Sequence, residues 1–251
     1  LAAGEDALAR VRRACANAAR HPLDAEDLLA PIARPPKILA VGLNYKDHIE
    51  EAGLETPKIP MIFNKQSTSV TGPRDVVHRP RASDKLDYEG ELAFVIGRRC
   101  RHVPRERASD VIAGYCVVND VSVRDWQMRS PTFTMGKSWD THCPLGPWIT
   151  TADENDDPHA LRLTTTVNGE VRQDSNTRHL LFDCFTLVEH LSTAFTLEPG
   201  DVIPTGTPGG VGIACKPPRM LKTGDVVKIA ISGLGEIEAS VIDEPPNTPT
   251  F

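Results

Sequence analysis

Residues 86–97 read Leu-Asp-Tyr-Glu-Gly-Glu-Leu-Ala-Phe-Val-Ile-Gly, an apolar run with strand character into which two carboxylates are set. Side chains alternate across a strand, so Glu89 and Glu91 share one face with Ala93 and Val95, while Tyr88, Leu92, Phe94 and Ile96 line the other. Apolar residues on both sides predict a strand buried on both faces. Two anions that close repel unless a cation joins them. A hard divalent metal held by oxygen answers that problem, and it requires at least one more carboxylate.

Asp120 is the best third ligand. In Gly-Tyr-Cys-Val-Val-Asn-Asp-Val-Ser-Val-Arg-Asp-Trp-Gln (114–127), Val117 and Val118 make a strand, and Asn119-Asp120 stands where the apolar run meets polar residues. Strand ends are common addresses for site residues. Taken singly, each carboxylate also fits a plainer role, as a salt-bridge partner for some of the 28 Lys and Arg or as a turn cap.

The surrounding strings decide between these readings. In order they are Val-Gly-Leu-Asn-Tyr-Lys-Asp-His (41–48), Phe-Asn-Lys (63–65), Gly-Pro (72–73), Asp-Tyr-Glu-Gly-Glu-Leu (87–92) and Asn-Asp-Val-Ser-Val-Arg-Asp (119–125). Gly-Lys-Ser-Trp-Asp-Thr (136–141), Val-Asn-Gly-Glu (167–170) and Pro-Gly-Asp-Val-Ile-Pro-Thr-Gly-Thr-Pro-Gly-Gly-Val-Gly (199–212) follow. This ordered set resembles the fumarylacetoacetate hydrolase family from about residue 37 to about residue 241, and looks closest to its small acylpyruvate hydrolase-like branch. The resemblance implies a mixed α+β fold, predominantly β, a roll or barrel with short flanking helices. It implies that Glu89, Glu91 and Asp120 bind one Mg2+ or Mn2+ per chain, and that the chain forms a homodimer.

Composition is compatible with that picture. A chain of 251 residues supports one large domain, with 40% hydrophobic and 25% charged residues as in ordinary globular proteins. Residues 1–59 are expected to form an N-terminal helix, connector and lid segment, and 60–251 the catalytic domain. A net charge of -6 without a basic stripe argues against nucleic acid as a partner. No apolar run reaches the length of a membrane span. Six cysteines without a Cys-x-x-Cys pair suit reduced thiols, so a cytoplasmic setting is expected.

Periodicity predicts helices over 5–19, 45–52, 104–112 and 183–195, and strands at 38–43, 61–64, 86–97, 114–119, 161–167, 171–174, 202–205, 226–231 and 236–242. Asn168-Gly169 marks a hairpin, since both residues tolerate the positive φ a two-residue turn demands. A proline-rich tail at 245–249 is expected to hug the surface.

His48 and Glu51 lie three apart on the helix at 45–52, hence on one face, where a carboxylate can orient an imidazole as a general base. Glu50 is the adjacent alternative. The resemblance puts such a pair in a lid that closes over the site, and puts Lys137 where it can stabilise an enolate or give it a proton. Gly136-Lys137-Ser138 is no phosphate-binding loop, because Pro131 stands where that motif needs glycine. Arg124 and Gln127 return toward the site, either to grip a distal carboxylate or to support its walls. Lys65 is expected to anchor a substrate carboxylate or orient a metal ligand. Gly206 and Thr207, in Thr-Gly-Thr-Pro-Gly-Gly, are expected to offer a backbone N–H and a hydroxyl to the substrate.

Such a site suits a small 2-oxo acid that chelates through a carboxylate and a keto oxygen. Hydrolytic cleavage of a C–C bond in a 2,4-dioxo acid of the acylpyruvate type, giving pyruvate or a related 2-oxo acid, is the leading expectation. Oxaloacetate decarboxylation, isomerisation or hydration of an unsaturated 2-oxo acid, and non-catalytic binding of a metal or 2-oxo acid are the alternatives.

Overall fold

The computed structural model describes residues 4–16, 18–20, 22–23, 28–155 and 157–246. The chain is mostly β, with two larger sheets that contribute to one core, a two-stranded ribbon and a few short helices. Met61–Lys65, Ile38–Gly42, Val202–Pro204, Gly90–Ile96, Ile112–Asn119, Cys143–Thr151 and Val70–Thr71 form, in that order, a seven-stranded mixed sheet. Glu170–Asn176, Arg162–Val167, Val226–Ile231, Gly235–Asp243 and Val77–Arg79 form a five-stranded sheet.

The alternation read from the sequence governs the packing. Tyr88, Leu92, Phe94 and Ile96 enter the main core with Leu163, Ile229 and Leu187, whereas Ala93 and Val95 enter a smaller core with Cys116, Val118 and Leu145. Every residue of Gly90–Ile96 is buried, so the strand has no face for water. The hairpin forms at Asn168 and Gly169, with φ of 52° and 79°. The helix Cys184–Ala194 starts where Asp183 accepts the Thr186 N–H as its N-cap.

Several expectations need correction. The run 86–97 is two strands: Leu86–Asp87 pairs with Ser122–Val123 in a separate ribbon, and Tyr88 and Glu89 lie outside both strands before Gly90–Ile96 begins. The N-terminal helix spans Gly4–Ala16, short of residue 19. Residues 105–111 form a 3-10 helix and the next strand starts at Ile112. Cys143–Thr151 is a strand that the periodicity did not predict, since Pro144, Gly146 and Pro147 interrupt it. The division at residue 59 cuts through the large sheet, because Ile38–Gly42 pairs with both Met61–Lys65 and Val202. Residues 247–249 of the proline-rich tail lie outside the described residues.

One buried histidine bears on stability. His142 is sealed from solvent, donating from Nε2 to the His78 carbonyl at 2.8 Å while Nδ1 has no partner. Burial pushes its imidazole down to about 3 from an ordinary 6.5. A depressed value means that stability is fully present above the ordinary value and is lost as pH falls toward about 3. His142→Gln keeps an N–H donor without the titration, so its urea midpoint should decline less steeply than the wild type's over that window. Equal slopes would show that His142 does not contribute to acid sensitivity.

Candidate metal centre and lid

Two strand ends meet at the site. Asp120, just past Ile112–Asn119, donates its N–H to the Glu89 carbonyl at 2.9 Å, and the Glu89 N–H donates to Asn119 Oδ1 at 3.1 Å. This clamp brings Glu89, Glu91 and Asp120 together, with ligand oxygens all within 4.8 Å of one another and all three residues buried.

Cations surround two of the three. Lys137 Nζ reaches Glu89 Oε2 at 2.7 Å and Asp120 Oδ2 at 2.8 Å, and Lys65 Nζ reaches Asp120 Oδ1 at 2.6 Å. Arg124 Nη1 meets Glu89 Oε1 at 2.6 Å. Burial opposes ionisation of Glu89, but Lys137 and Arg124 outweigh it and hold the carboxyl down to about 2. Among the described residues Glu91 has no such partner: its hydrogen bond comes from the Gly206 N–H at 2.7 Å. Burial first, then the charges of Asp120 and Glu89, push its carboxyl well above the usual range.

A buried anion without a cation is costly. A divalent ion facing Glu91, Glu89 and Asp120 would supply the missing positive charge, and an all-oxygen donor set suits a hard cation such as Mg2+ or Mn2+. The residues therefore fit the metal.

The segment expected to act as a lid holds the helix Lys46–Ala52, closed by Gly53 in the left-handed region. It is better anchored than its charged sequence suggests, because Tyr45 and Ile49 are buried beneath it. Asn44 fixes its base, donating to the Phe182 and Thr205 carbonyls at 2.9 and 2.7 Å. Asp47 Oδ2 accepts the Ser175 hydroxyl at 3.0 Å, and both Glu51 oxygens accept the Gly210 N–H at 3.1 and 3.0 Å. His48 Nδ1 lies 3.6 Å from Glu51 Oε2, is buried, and has no hydrogen-bond partner. Glu50 is exposed and makes no such contact.

The Fumarylacetoacetate (FAA) hydrolase C-terminal family model matches residues 37–242. The chain belongs to the fumarylacetoacetate hydrolase family. It is 47% identical over 217 residues to a mitochondrial oxaloacetate tautomerase of Xenopus laevis, covering 86% of this chain and 68% of that protein. The solved 5-carboxymethyl-2-hydroxymuconate delta-isomerase of Mycobacterium smegmatis is 46% identical with a TM-score of 0.77, covering 87% and 82% of the two chains. A maleylpyruvate hydrolase from a Sphingobium species, solved with manganese(II) and pyruvate, is 36% identical with a TM-score of 0.79, covering 94% and 81%.

Within this family framework, several expected substrate contacts turn inward. Arg124 spends its guanidinium on Asp87, Glu89 and the Gln127 Oε1 at 2.9 Å, so it supports the wall instead of presenting a free fork. It makes no pair with Asp125, which faces Ser83 and Arg129. Lys65 orients Asp120 and also donates to the Lys137 carbonyl. The Thr207 hydroxyl donates to the Gly90 carbonyl and accepts from Gln173 Nε2 at 2.8 Å, and the Gly206 N–H is taken by Glu91. Pro204 ends its strand, opposite Ala93.

Asp87, Asn119 and Gln173 were missed. Asp87 was legible, since it precedes Glu89 by the two-residue spacing that separates Glu89 from Glu91. Gln173 had no local signal, because its partners Gly90, Thr207 and Pro208 are remote in sequence.

Glu91→Gln tests the centre. The amide still accepts from Gly206 but carries no charge, so metal affinity should fall by more than the about 10- to 100-fold typical of losing an outer partner. Stability without metal should change little near neutral pH, because burial and the neighbouring carboxylates already keep the Glu91 carboxyl protonated there. Calorimetric titration with Mn2+ and metal-free urea unfolding give the two readouts. Unchanged affinity would remove Glu91 from the ligand set.

Proposed function

We propose that this chain is a divalent-metal-dependent hydrolase that cleaves a C–C bond in a small 2,4-dioxo acid of the acylpyruvate class, releasing pyruvate or a related 2-oxo acid. The carrying observation is the His48–Glu51 pair, whose imidazole Nδ1 is buried without a hydrogen-bond partner among the described residues and near enough to Glu89 of the oxygen cluster to act on its charge. A bound Mg2+ or Mn2+ would supply Lewis-acid stabilisation for charge developing on the substrate's oxygens.

His48 takes a proton from water as it attacks the C4 carbonyl, and Glu51 steadies the imidazolium that results. Gly210 orients Glu51 through its N–H. Lys137 holds positive charge at Glu89 and Asp120, next to where negative charge grows on the 2-oxo acid half as the C3–C4 bond breaks. The imidazolium returns its proton to C3, so that the 2-oxo acid leaves neutralised at carbon. Closure of the lid keeps bulk water out, which strengthens each of these interactions.

A second reading is keto–enol tautomerisation of oxaloacetate, favoured by the 47% identity to the Xenopus tautomerase. It needs His48 only to move a proton at C3, without an attacking water. The deciding experiment incubates the Mn2+-loaded and Mg2+-loaded protein with acylpyruvates and with oxaloacetate. Pyruvate plus a carboxylic acid from an acylpyruvate supports the hydrolase. Enol–keto relaxation of oxaloacetate without cleavage of either substrate overturns it in favour of the tautomerase, and CO2 release from oxaloacetate alone favours a decarboxylase. The reading includes a homodimer and a cytosolic setting; all six cysteines are free, as a reducing compartment allows.

A further inference from the structure

Asp87 is sealed from solvent, and both of its oxygens are committed. Oδ1 accepts the N–H groups of Tyr88 at 2.9 Å and Gly212 at 2.8 Å. Oδ2 accepts the Ile213 N–H at 3.0 Å and Arg124 Nε at 2.8 Å. A side chain on Gly212 would place its Cβ 2.5 Å from Asp87 Oδ1 and 2.4 Å from the Arg219 carbonyl, so the loop reaches this carboxylate only with glycine there.

Each partner leads to a different half of the site. Arg124 continues to Glu89 at 2.6 Å and to Gln127. The loop leads back from Gly212 to Gly210, whose N–H holds Glu51, and to Gly206, whose N–H holds Glu91. Tyr88, next to Asp87, adds a second tie to the loop by donating its hydroxyl to the Gly210 carbonyl at 2.8 Å. The Gly210 residue is thus gripped at both ends, by Tyr88 at its carbonyl and by Glu51 at its N–H.

We infer that Asp87 is a positioning residue that sets the spacing between the metal-ligating carboxylates and the lid pair. It does so by holding Arg124 against Glu89 while anchoring the loop that receives Glu51. Its negative charge also balances Arg124, leaving Glu89 free to serve a metal instead of neutralising a guanidinium alone. The inference rests on the site described under the proposed function, but its readouts are metal affinity and amide exchange, which need no substrate.

The test compares Asp87→Asn and Tyr88→Phe in the full chain. Asp87→Asn removes a buried negative charge near the cluster and weakens two loop anchors. Mn2+ affinity by calorimetry should fall about 10- to 100-fold, as for other outer partners of metal ligands. Amide exchange over residues 48–53 should quicken while the core strands stay protected. Tyr88→Phe cuts only the tie to Gly210, so lid exchange should quicken with Mn2+ affinity unchanged. Wild-type affinity and wild-type lid exchange in a folded Asp87→Asn, even with a lowered melting temperature, would reduce Asp87 to a structural residue and overturn the inference. If Asp87→Asn does not fold, Tyr88→Phe decides: unchanged lid exchange there overturns the loop linkage. Loss of every proposed activity in the wild type leaves these readouts intact, so failure of the functional reading is separable.

Discussion

Replacing His48 with alanine is expected to lower acylpyruvate cleavage by about 10²- to 10⁴-fold, the usual worth of a general base, while Mn2+ affinity stays the same. The geometry makes this selective, because His48 contacts Glu51 and none of the three carboxylates of the metal cluster. Loss of CO2 from oxaloacetate needs no nucleophile, so any decarboxylation should retain a much larger fraction of its rate. Tautomerisation needs a proton carried at C3 and should fall with cleavage. The ratio of the rates in one variant therefore ranks the chemistries, each compared as kcat and kcat/KM against wild type. Equal loss of cleavage and decarboxylation would show that the histidine is not a water-specific base.

The geometry of the His48–Glu51 pair is local, although its choice as a catalytic pair came from the family resemblance. An i, i+3 His/Glu pair lies on one helical face whatever the tertiary structure does, and the structure places Lys46–Ala52 in a helix. The same holds for Glu89 and Glu91, whose common face follows from strand parity and persists although Glu89 lies just outside Gly90–Ile96. Asp120 was legible as a polar residue at the end of an apolar run. Side chains whose role depends on remote partners were harder to read. Arg124 stayed open between gripping a substrate and supporting the wall because nothing in its neighbourhood shows Asp87, 37 residues earlier, already occupying it. Thr207 looked like a substrate donor because its actual acceptor is the carbonyl of Gly90, 117 residues away.

The fold shows the same division. Parity in Gly90–Ile96 predicted which side chains enter which of two cores, since a strand's periodicity is set by its own backbone. The strand Cys143–Thr151 was invisible because its prolines and glycine carry loop signals that tertiary pairing with Ile112–Asn119 overrides. The anchorage of Lys46–Ala52 is illegible for a related reason. Tyr45 and Ile49 find their cover from the body of the protein, which local charge density cannot reveal.

Lys137→Met should separate stability, metal binding and catalysis in a single variant. The Lys137 ammonium bridges Glu89 and Asp120 in a site that leaves its side chain 2% exposed, so removing it strands negative charge in a low-dielectric interior. Breaking a buried pair this way costs about 3–5 kcal/mol. The lower end applies, because Arg124 still meets Glu89 and Lys65 still meets Asp120. A loss of about 3 kcal/mol is within the stability of an ordinary domain, about 5–15 kcal/mol, so the variant folds. Mn2+ should now bind more tightly than in wild type, since one competing cation has left its ligands. At about 100 times Kd, that binding restores about 2.7 kcal/mol. Turnover should nevertheless fall by about 10²- to 10³-fold, the usual effect of deleting one stabiliser of developing negative charge. Urea unfolding with and without Mn2+, calorimetry and kcat make up the measurement. Weaker metal binding in Lys137→Met would mean that the lysine helps to assemble the ligands instead of competing for them. Unchanged metal-free stability would mean that its ammonium does not sit between the two carboxylates.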